Sequence, residues 1–278
     1  MPDPYFDDGQ VTLYLGDCRE ILPRLGIVAD LICTDPPYGE TSLKWDRWVD
    51  GWPTLAATAA RSMWCFGSMR MFGEHWDEFT DAKWKLSQET VGADEDGAPI
   101  RADLAVIWEK NAGTGLFTDR FRRIHENALH WYRGRRWEEI YHQAQRIPTP
   151  PTWSGRGALN GETVRSGGAG KHLGGTKQST YQDDGTRLMT SVIRAKNLRG
   201  LALHPTEKPV DLLRPLIEYA CPPGGLVLDL FAGSGAILDA ARQTGRRAIG
   251  IEADPKYAQR AARRLSQAIL TPAGDADA

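Results

Sequence analysis

Thr34-Asp35-Pro36-Pro37-Tyr38 closes an apolar run, Asp30-Leu31-Ile32-Cys33, and brings a carboxylate, bare carbonyls and an aromatic ring together. A short apolar run that stops at Pro-Pro reads as a buried strand leaving a sheet. Proline has no N–H and pushes its predecessor into an extended shape, so Asp35 and Pro36 are held extended at the strand's carboxyl edge. Open α/β sheets bind ligands at that edge. The set suits a planar base with an exocyclic amine: two acceptors for the amine hydrogens and one face for stacking. A plain Asp-Pro turn over a packed tyrosine would use the same residues, so the rest of the chain has to decide.

A second constellation lies near the other end. Residues 226–231 (Leu-Val-Leu-Asp-Leu-Phe) read as a buried strand, Ala232-Gly233-Ser234-Gly235 as a tight turn, 236–244 as a helix and 247–252 as a strand ending on Glu252. This is Rossmann-type logic: glycines let the backbone approach a ligand, and the distal acid accepts from ribose hydroxyls. It fits NAD and S-adenosylmethionine alike, since both carry an adenosine ribose. Phe-Ala-Gly-Ser-Gly is one glycine short of the dinucleotide fingerprint, which weakens the NAD option. Asp17 ends a strand at 11–16 and opens a helix at 18–25, so it is either an N-cap or an acceptor for a nucleobase amine.

The elements that must position these groups follow from pattern. Residues 39–52 read as a loop over the site, 56–62 as a helix, 63–66 as a buried strand, 70–86 as mainly helical, 91–99 as an acidic turn and 104–108 as a strand. Residues 210–220 and 254–270 read as helices. A glycine turn of this kind belongs after the first strand of its sheet, yet only one more strand follows it. The N-terminal strands must supply the continuation, so both chain ends should share one sheet, with Asp35 and Gly233 on the same edge.

The 278 residues, 41% hydrophobic and 25% charged, describe an ordinary globular chain. No apolar stretch reaches membrane-spanning length and the start lacks a signal peptide's pattern, so no membrane is expected. Cys18, Cys33, Cys65 and Cys221 are scattered, which predicts reduced, buried thiols in a cytoplasm and no metal site. Between residues 112 and 200 there are fifteen Lys and Arg against seven Asp and Glu, so the rest of the chain sums to −10. Arg120, Arg122, Arg123 and Arg133, Arg135, Arg136 alternate with aromatics there. Such a basic stripe suits a phosphate-tracking surface, or is only a solvated insertion.

The ordered set Gly16-Asp17, Asp35-Pro36-Pro37-Tyr38, Trp45-Asp46, His125-Glu126, Thr206-x-Lys208-Pro209, Asp229-Leu230-Phe231-Ala232-Gly233-Ser234-Gly235 and Gly250-Ile251-Glu252 resembles the amino-methyltransferases of DNA, in the permuted group with the catalytic motif first. The family usually has Pro where Leu230 stands. The resemblance implies an α/β fold: a Rossmann-like S-adenosylmethionine-dependent methyltransferase sheet, circularly permuted. Residues 1–111 would be its catalytic half, 112–200 an inserted basic target-recognition region, 201–270 the cofactor-binding half and 271–278 a tail. Asp in the first catalytic position leans towards adenine N6, where Ser leans towards cytosine N4.

On that resemblance Asp35, Pro36, Pro37 and Tyr38 are catalytic. Asp17 and Glu252 hold adenosine. Gly233, Ser234 and Gly235 line the cofactor's methionine part, with Thr206 and Lys208 near its carboxylate, and Asp229 and Phe231 also bind the cofactor. The substrate is double-stranded DNA, in a bacterial cell or a phage-infected one. A homodimer and a partner restriction endonuclease are left open. The rival readings are a catalytically silent DNA-binding relative, an NAD-dependent oxidoreductase, and methyl transfer to RNA or a protein amide.

Overall fold

A computed structural model describes residues 2–93, 99–103, 105–111, 119, 121–149, 163–165, 179–181, 184–196 and 207–270. In chain order the elements are β1 (Phe6–Asp7), β2 (Val11–Leu15), α1 (Cys18–Leu25), β3 (Leu31–Thr34), α2 (Trp52–Ala59), β4 (Ser62–Gly67), α3 (Met69–Asp81) and β5 (Lys85–Leu86). Next come β6 (Gln88–Ala93), β7 (Pro99–Asp103), β8 (Ala105–Lys110), β9 (His125–Tyr132), β10 (Arg146–Pro148), β11 (Thr163–Arg165), β12 (Ser179–Tyr181), β13 (Thr186–Leu188) and β14 (Val192–Ala195). The chain finishes with α4 (Val210–Ala220), β15 (Leu226–Asp229), α5 (Ala236–Gln243), β16 (Arg247–Glu252) and α6 (Pro255–Leu270).

The chain divides into two units. The smaller, Ser87–Leu104 with Ala144–Thr190, contains three antiparallel pairs: β6 with β7, β10 with β13, and β11 with β12. The larger unit is built on one sheet in the order β1-β2-β16-β15-β3-β4-β9-β8-β14, with β5 paired to the end of β9. The five strands from β2 to β4 run parallel, and β9 is antiparallel to both of its neighbours β4 and β8. The two chain ends share this sheet: β2 lies beside β16, and β15 beside β3.

Parallel strands covered by helices on both faces are apolar throughout, because each face of the pleat is buried. β3 (Leu-Ile-Cys-Thr) and β4 (Ser-Met-Trp-Cys-Phe-Gly) are buried at every position. Alternation then divides the core. Ile32, Met63, Cys65 and Leu228 face a cluster with Ile21, Leu22, Trp52, Phe72 and Phe79 from α1, α2 and α3. Trp64, one residue out of phase, donates its indole N–H to the Leu216 carbonyl of α4 at 3.0 Å. Cys18, Cys33, Cys65 and Cys221 are all buried and unbridged.

Three boundaries differ from the pattern-based expectation. The helix expected over 70–86 ends at Asp81, because Lys83 adopts φ +66° and the buried Trp84 indole anchors to the Pro53 carbonyl at 2.9 Å. The acidic turn at 91–99 belongs to a hairpin of β6 and β7, whose tip lies outside the described residues. Within the span 112–200, β9 and β14 join the large sheet. The charge count could not reveal this, because the strand-forming Leu129, Trp131 and Tyr132 stand among arginines.

Candidate active site

From β3 the chain passes through α2 to β4 on one side, and from β15 through α5 to β16 on the other. Between β3 and β15 the winding therefore reverses and leaves a crevice at the carboxyl ends, the usual ligand position in such sheets. Asp35 follows β3 and Asp229 ends β15. A hydrogen bond from Thr34 Oγ1 to Asp229 Oδ1 (2.9 Å) ties the two strand ends together. A cleft of about 220 Å³ opens here, lined from one end by Asp35 to Tyr38 and from the other by Phe231 to Ser234 and Glu252.

At the Asp-Pro-Pro-Tyr turn the Tyr38 hydroxyl donates to Asp35 Oδ1 (2.5 Å) and the Lys208 ammonium to Asp35 Oδ2 (2.5 Å). Burial pushes the Asp35 carboxyl up, against the pull of Lys208, while Glu126 adds to the rise. Burial, then the Asp35 charge, holds the Tyr38 phenol well above its ordinary range. The following loop is wound around Asp46, whose carboxylate accepts from the backbone N–H of Tyr38 (2.8 Å), Gly39 (2.8 Å), Glu40 (3.0 Å) and Thr41 (2.7 Å). Burial alone would raise the Asp46 carboxyl, but the Thr41 side chain and the backbone donors of Gly39, Thr41 and Tyr38 together bring it below its ordinary value.

On the glycine-loop side, Gly235 takes φ +76° as the N-cap of α5, and a Cβ there would lie 3.1 Å from that of Ala261. Glu252 accepts from the N–H of Gly233 (2.7 Å) with one oxygen and of Asp254 (2.7 Å) with the other. The carboxylate has further lone pairs with which to accept from a hydroxyl donor. Burial pushes Glu252 up to about 7, and Asp229 likewise up to about 7. Asp229 Oδ1 also accepts from Phe231 N (3.1 Å), while its buried Oδ2 has no hydrogen-bond partner among the described residues. A buried carboxylate oxygen left unmatched at a cleft wall is a place for a ligand's donor.

A model of the N6/N4 DNA methylase family matches residues 29–263, most of the chain. The chain belongs to the N6/N4 DNA methylase family. Over 63 residues it is 54% identical to YubD of Escherichia coli (strain K12), named as a methylase; the match spans 23% of this chain and 28% of that relative. The M1.HpyAVI–SAM complex superposes with a TM-score of 0.57 at 21% identity, covering 92% of this chain and all of the other. The cytosine-N4-specific PvuII DNA methyltransferase gives 0.56 at 13% identity, covering 94% and 88%. TTHA0409 of Thermus thermophilus, described as a DNA modification methylase, gives 0.54 at 19%, covering 94% and 96%. These three likenesses establish the shared fold, a mixed α/β architecture around a large sheet.

In this chain most of the residues singled out from sequence converge on the cleft, and three of them take other partners. Asp17 caps α1 through Arg19 N (2.8 Å), and its second oxygen is taken by the Arg19 guanidinium (2.6 Å), which chiefly holds its carboxyl below the ordinary range. Lys208, expected beside the cofactor's carboxylate, is 3% exposed and turns to Asp35 and to Glu126 Oε2 (3.2 Å). Ser234 gives its hydroxyl to Glu207 (2.8 Å), which also pairs with Arg264. Thr206 lies outside the described residues. Glu126 and Glu207 are site residues that the candidate set lacked. Glu126 stood in the resemblance's His125-Glu126 stretch without an assigned role, and Glu207 was the unspecified position of Thr206-x-Lys208-Pro209. Among the described residues, no group of three or more His, Cys, Asp or Glu side chains is placed to hold a metal ion.

Proposed function

We propose that this protein moves a methyl group from S-adenosylmethionine to the exocyclic N6 of an adenine turned out of double-stranded DNA. The observation that carries the reading is the pairing, across one crevice, of the Asp35-Pro36 acceptors with an acidic, glycine-walled cleft. Eight carboxylates line that cleft against one basic side chain, Lys208. Arg19, Arg264 and Lys110 pair with three of the eight and leave the cleft negative. A doubly anionic pyrophosphate would be repelled there, whereas a cofactor carrying sulfonium and ammonium charges is attracted. This disfavours NAD.

The residues present fit S-adenosylmethionine. Glu252 has lone pairs for the ribose, Asp229 Oδ2 is an unmatched acceptor for a donor, and Phe231 to Ser234 line the remainder. The cofactor supplies a methyl already activated on a sulfonium. The protein's part is to present the acceptor nitrogen. An amine inside a base stack cannot be reached, so the base leaves the duplex. Tyr38 stacks on it. Asp35 takes one amine hydrogen and the Pro36 carbonyl the other, which draws the nitrogen lone pair out of conjugation with the ring. Both Asp35 oxygens already accept from Tyr38 and Lys208, and each has a second lone pair for the amine. Fixed acceptors matched to developing charge account for much of the acceleration, and Asp35 is the nearest base for the proton the nitrogen sheds.

Adenine is preferred over cytosine N4 because the catalytic motif begins with Asp. Replacing Asp35 with Ala should abolish transfer to DNA and leave cofactor binding largely intact. Normal turnover in that variant overturns the assignment. The span 112–200 is proposed as the part that contacts the target, now without β9 and β14.

A further inference from the structure

Four charged side chains form an alternating row inside the larger unit. Lys110, the last residue of β8, pairs with Glu126 of β9; Glu126 pairs with Lys208 before α4; and Lys208 pairs with Asp35 after β3. The outer lysine is 21% exposed and Lys208 only 3%, so the row runs from solvent into the dry wall of the site. The Lys208 ammonium also lies 5.2 Å from the Phe66 ring centre and 6.0 Å from that of Tyr38. We propose that Lys208, held by Glu126, is a positioning residue for methyl transfer: it keeps Asp35 ionised and fixes the direction in which that carboxylate accepts the target amine. The inference rests on the methyl-transfer reading.

A carboxyl group taken out of water without a counter-charge goes neutral. A neutral Asp35 would hold an O–H donor, and that donor would compete for the amine lone pair that must stay free. It would also have fewer acceptor positions, one of which Tyr38 already takes. Lys208 supplies the counter-charge at 2.5 Å. A lone ammonium beside Asp35 would itself be costly to bury, and Glu126 answers it from the other side. Lys110 completes a row of zero net charge. Breaking one member of such a buried set leaves its neighbour uncompensated. The other titratable groups acting on Asp35 are the Tyr38 phenol, the Cys33 and Cys65 thiols and the Asp229 carboxyl, and none of them carries positive charge.

Transfer requires ionised Asp35, so activity is lost as pH falls through its titration. Without Lys208 that acid limb moves to higher pH. Lys208→Met should reduce the transfer rate at neutral pH by roughly a hundredfold or more and recover part of it in alkali. Glu126→Gln leaves the Lys208 ammonium unheld and should lower the rate by about tenfold, but without raising the acid limb, because Glu126 itself adds to the rise of the Asp35 carboxyl; Lys208→Arg should restore part of what Lys208→Met loses. Cofactor affinity should stay within a few-fold of wild type throughout. A readout independent of turnover is the carboxyl ¹³C titration of Asp35 in the cofactor-free protein, identified by its loss in Asp35→Asn. In Lys208→Met its midpoint should rise by about one pH unit or more. An unmoved midpoint overturns the proposal whatever the substrate is. Loss of cofactor affinity in step with activity, equal at every pH, also overturns it and returns Lys208 to the cofactor's carboxylate. Failure of the wild-type protein to methylate DNA, with the midpoint shifted, overturns the methyl-transfer reading alone.

Discussion

Asp229 illustrates what a single buried group contributes when half of its hydrogen-bonding capacity is unmet. Its Oδ1 is satisfied by Thr34 and Phe231, its Oδ2 is not, and burial raises its carboxyl to about 7. The folded state therefore binds a proton that the unfolded state has released by about pH 4. Between those values stability falls as pH rises, the reverse of a salt-bridged carboxylate. Asp229→Asn should stabilise the cofactor-free protein at about pH 8, by roughly 1 kcal/mol, and have little effect at about pH 5.5. Melting curves of the two proteins at both pH values check this; a gain of equal size at both would contradict it. The same variant should bind S-adenosylmethionine more weakly. Asp35 and Asp229 were readable because proline and glycine act on the next residue or two, and the tight turns they impose mark strand ends. Glu207 and the true partner of Lys208 were not. Glu207 meets Ser234 across 27 residues and Lys208 meets Asp35 across 173, separations at which no local pattern exists.

The element that shapes the catalytic turn is the loop after it. Trp45 and Asp46 could be read as a loop over the site, but not that Asp46 would fold back to collect four N–H groups. Its backbone donors become visible only once the loop has closed. Asp46→Ala leaves those donors to find water, at a cost of about 1–3 kcal/mol. Because Tyr38 N is one of them, the turn should lose its fixed shape. The expected result is a transfer rate down by roughly tenfold or more, with cofactor affinity changed much less. An unchanged rate in this variant would contradict a positioning role for the loop. The strand β9 escaped pattern reading for a different reason. It is a central strand carrying Asn127 and the fully buried His130, whose ring meets Ser62 Oγ at 3.0 Å and whose imidazole burial drives down to about 3. Polar residues at core positions broke the alternation on which strand recognition depends.

At the scale of the whole molecule, the basic residues read as one stripe separate into two places. β9 begins at the carboxyl edge of the parallel strands and ends at the opposite edge, since it runs antiparallel to β4. Arg122 and Arg123 precede it and Arg133, Arg135 and Arg136 follow it, so the two groups stand about 25 Å apart along the strand. The aromatics between them, His130, Trp131 and Tyr132, are core side chains, whereas Phe121 is fully exposed. Arg123 reaches Glu40 (3.4 Å), two residues beyond Tyr38, so the first group stands at the catalytic edge. Replacing Arg122 and Arg123 with Ala should weaken DNA binding and make its salt dependence shallower by roughly one per charge. Replacing Arg135 and Arg136 should do neither. Titrations at several salt concentrations distinguish these outcomes, and equal effects from both pairs would contradict this placement.

The central claim is that the Asp35 crevice delivers a methyl group to a DNA amine, and its most direct test is transfer of labelled methyl from S-adenosylmethionine to unmethylated genomic DNA, followed by nucleoside analysis. Wild type should place the label in N6-methyladenine, and Asp35→Ala, still binding cofactor, should place none. Label in N4-methylcytosine would keep the mechanism and replace the base. No label on DNA from a wild-type protein that binds the cofactor would contradict the account.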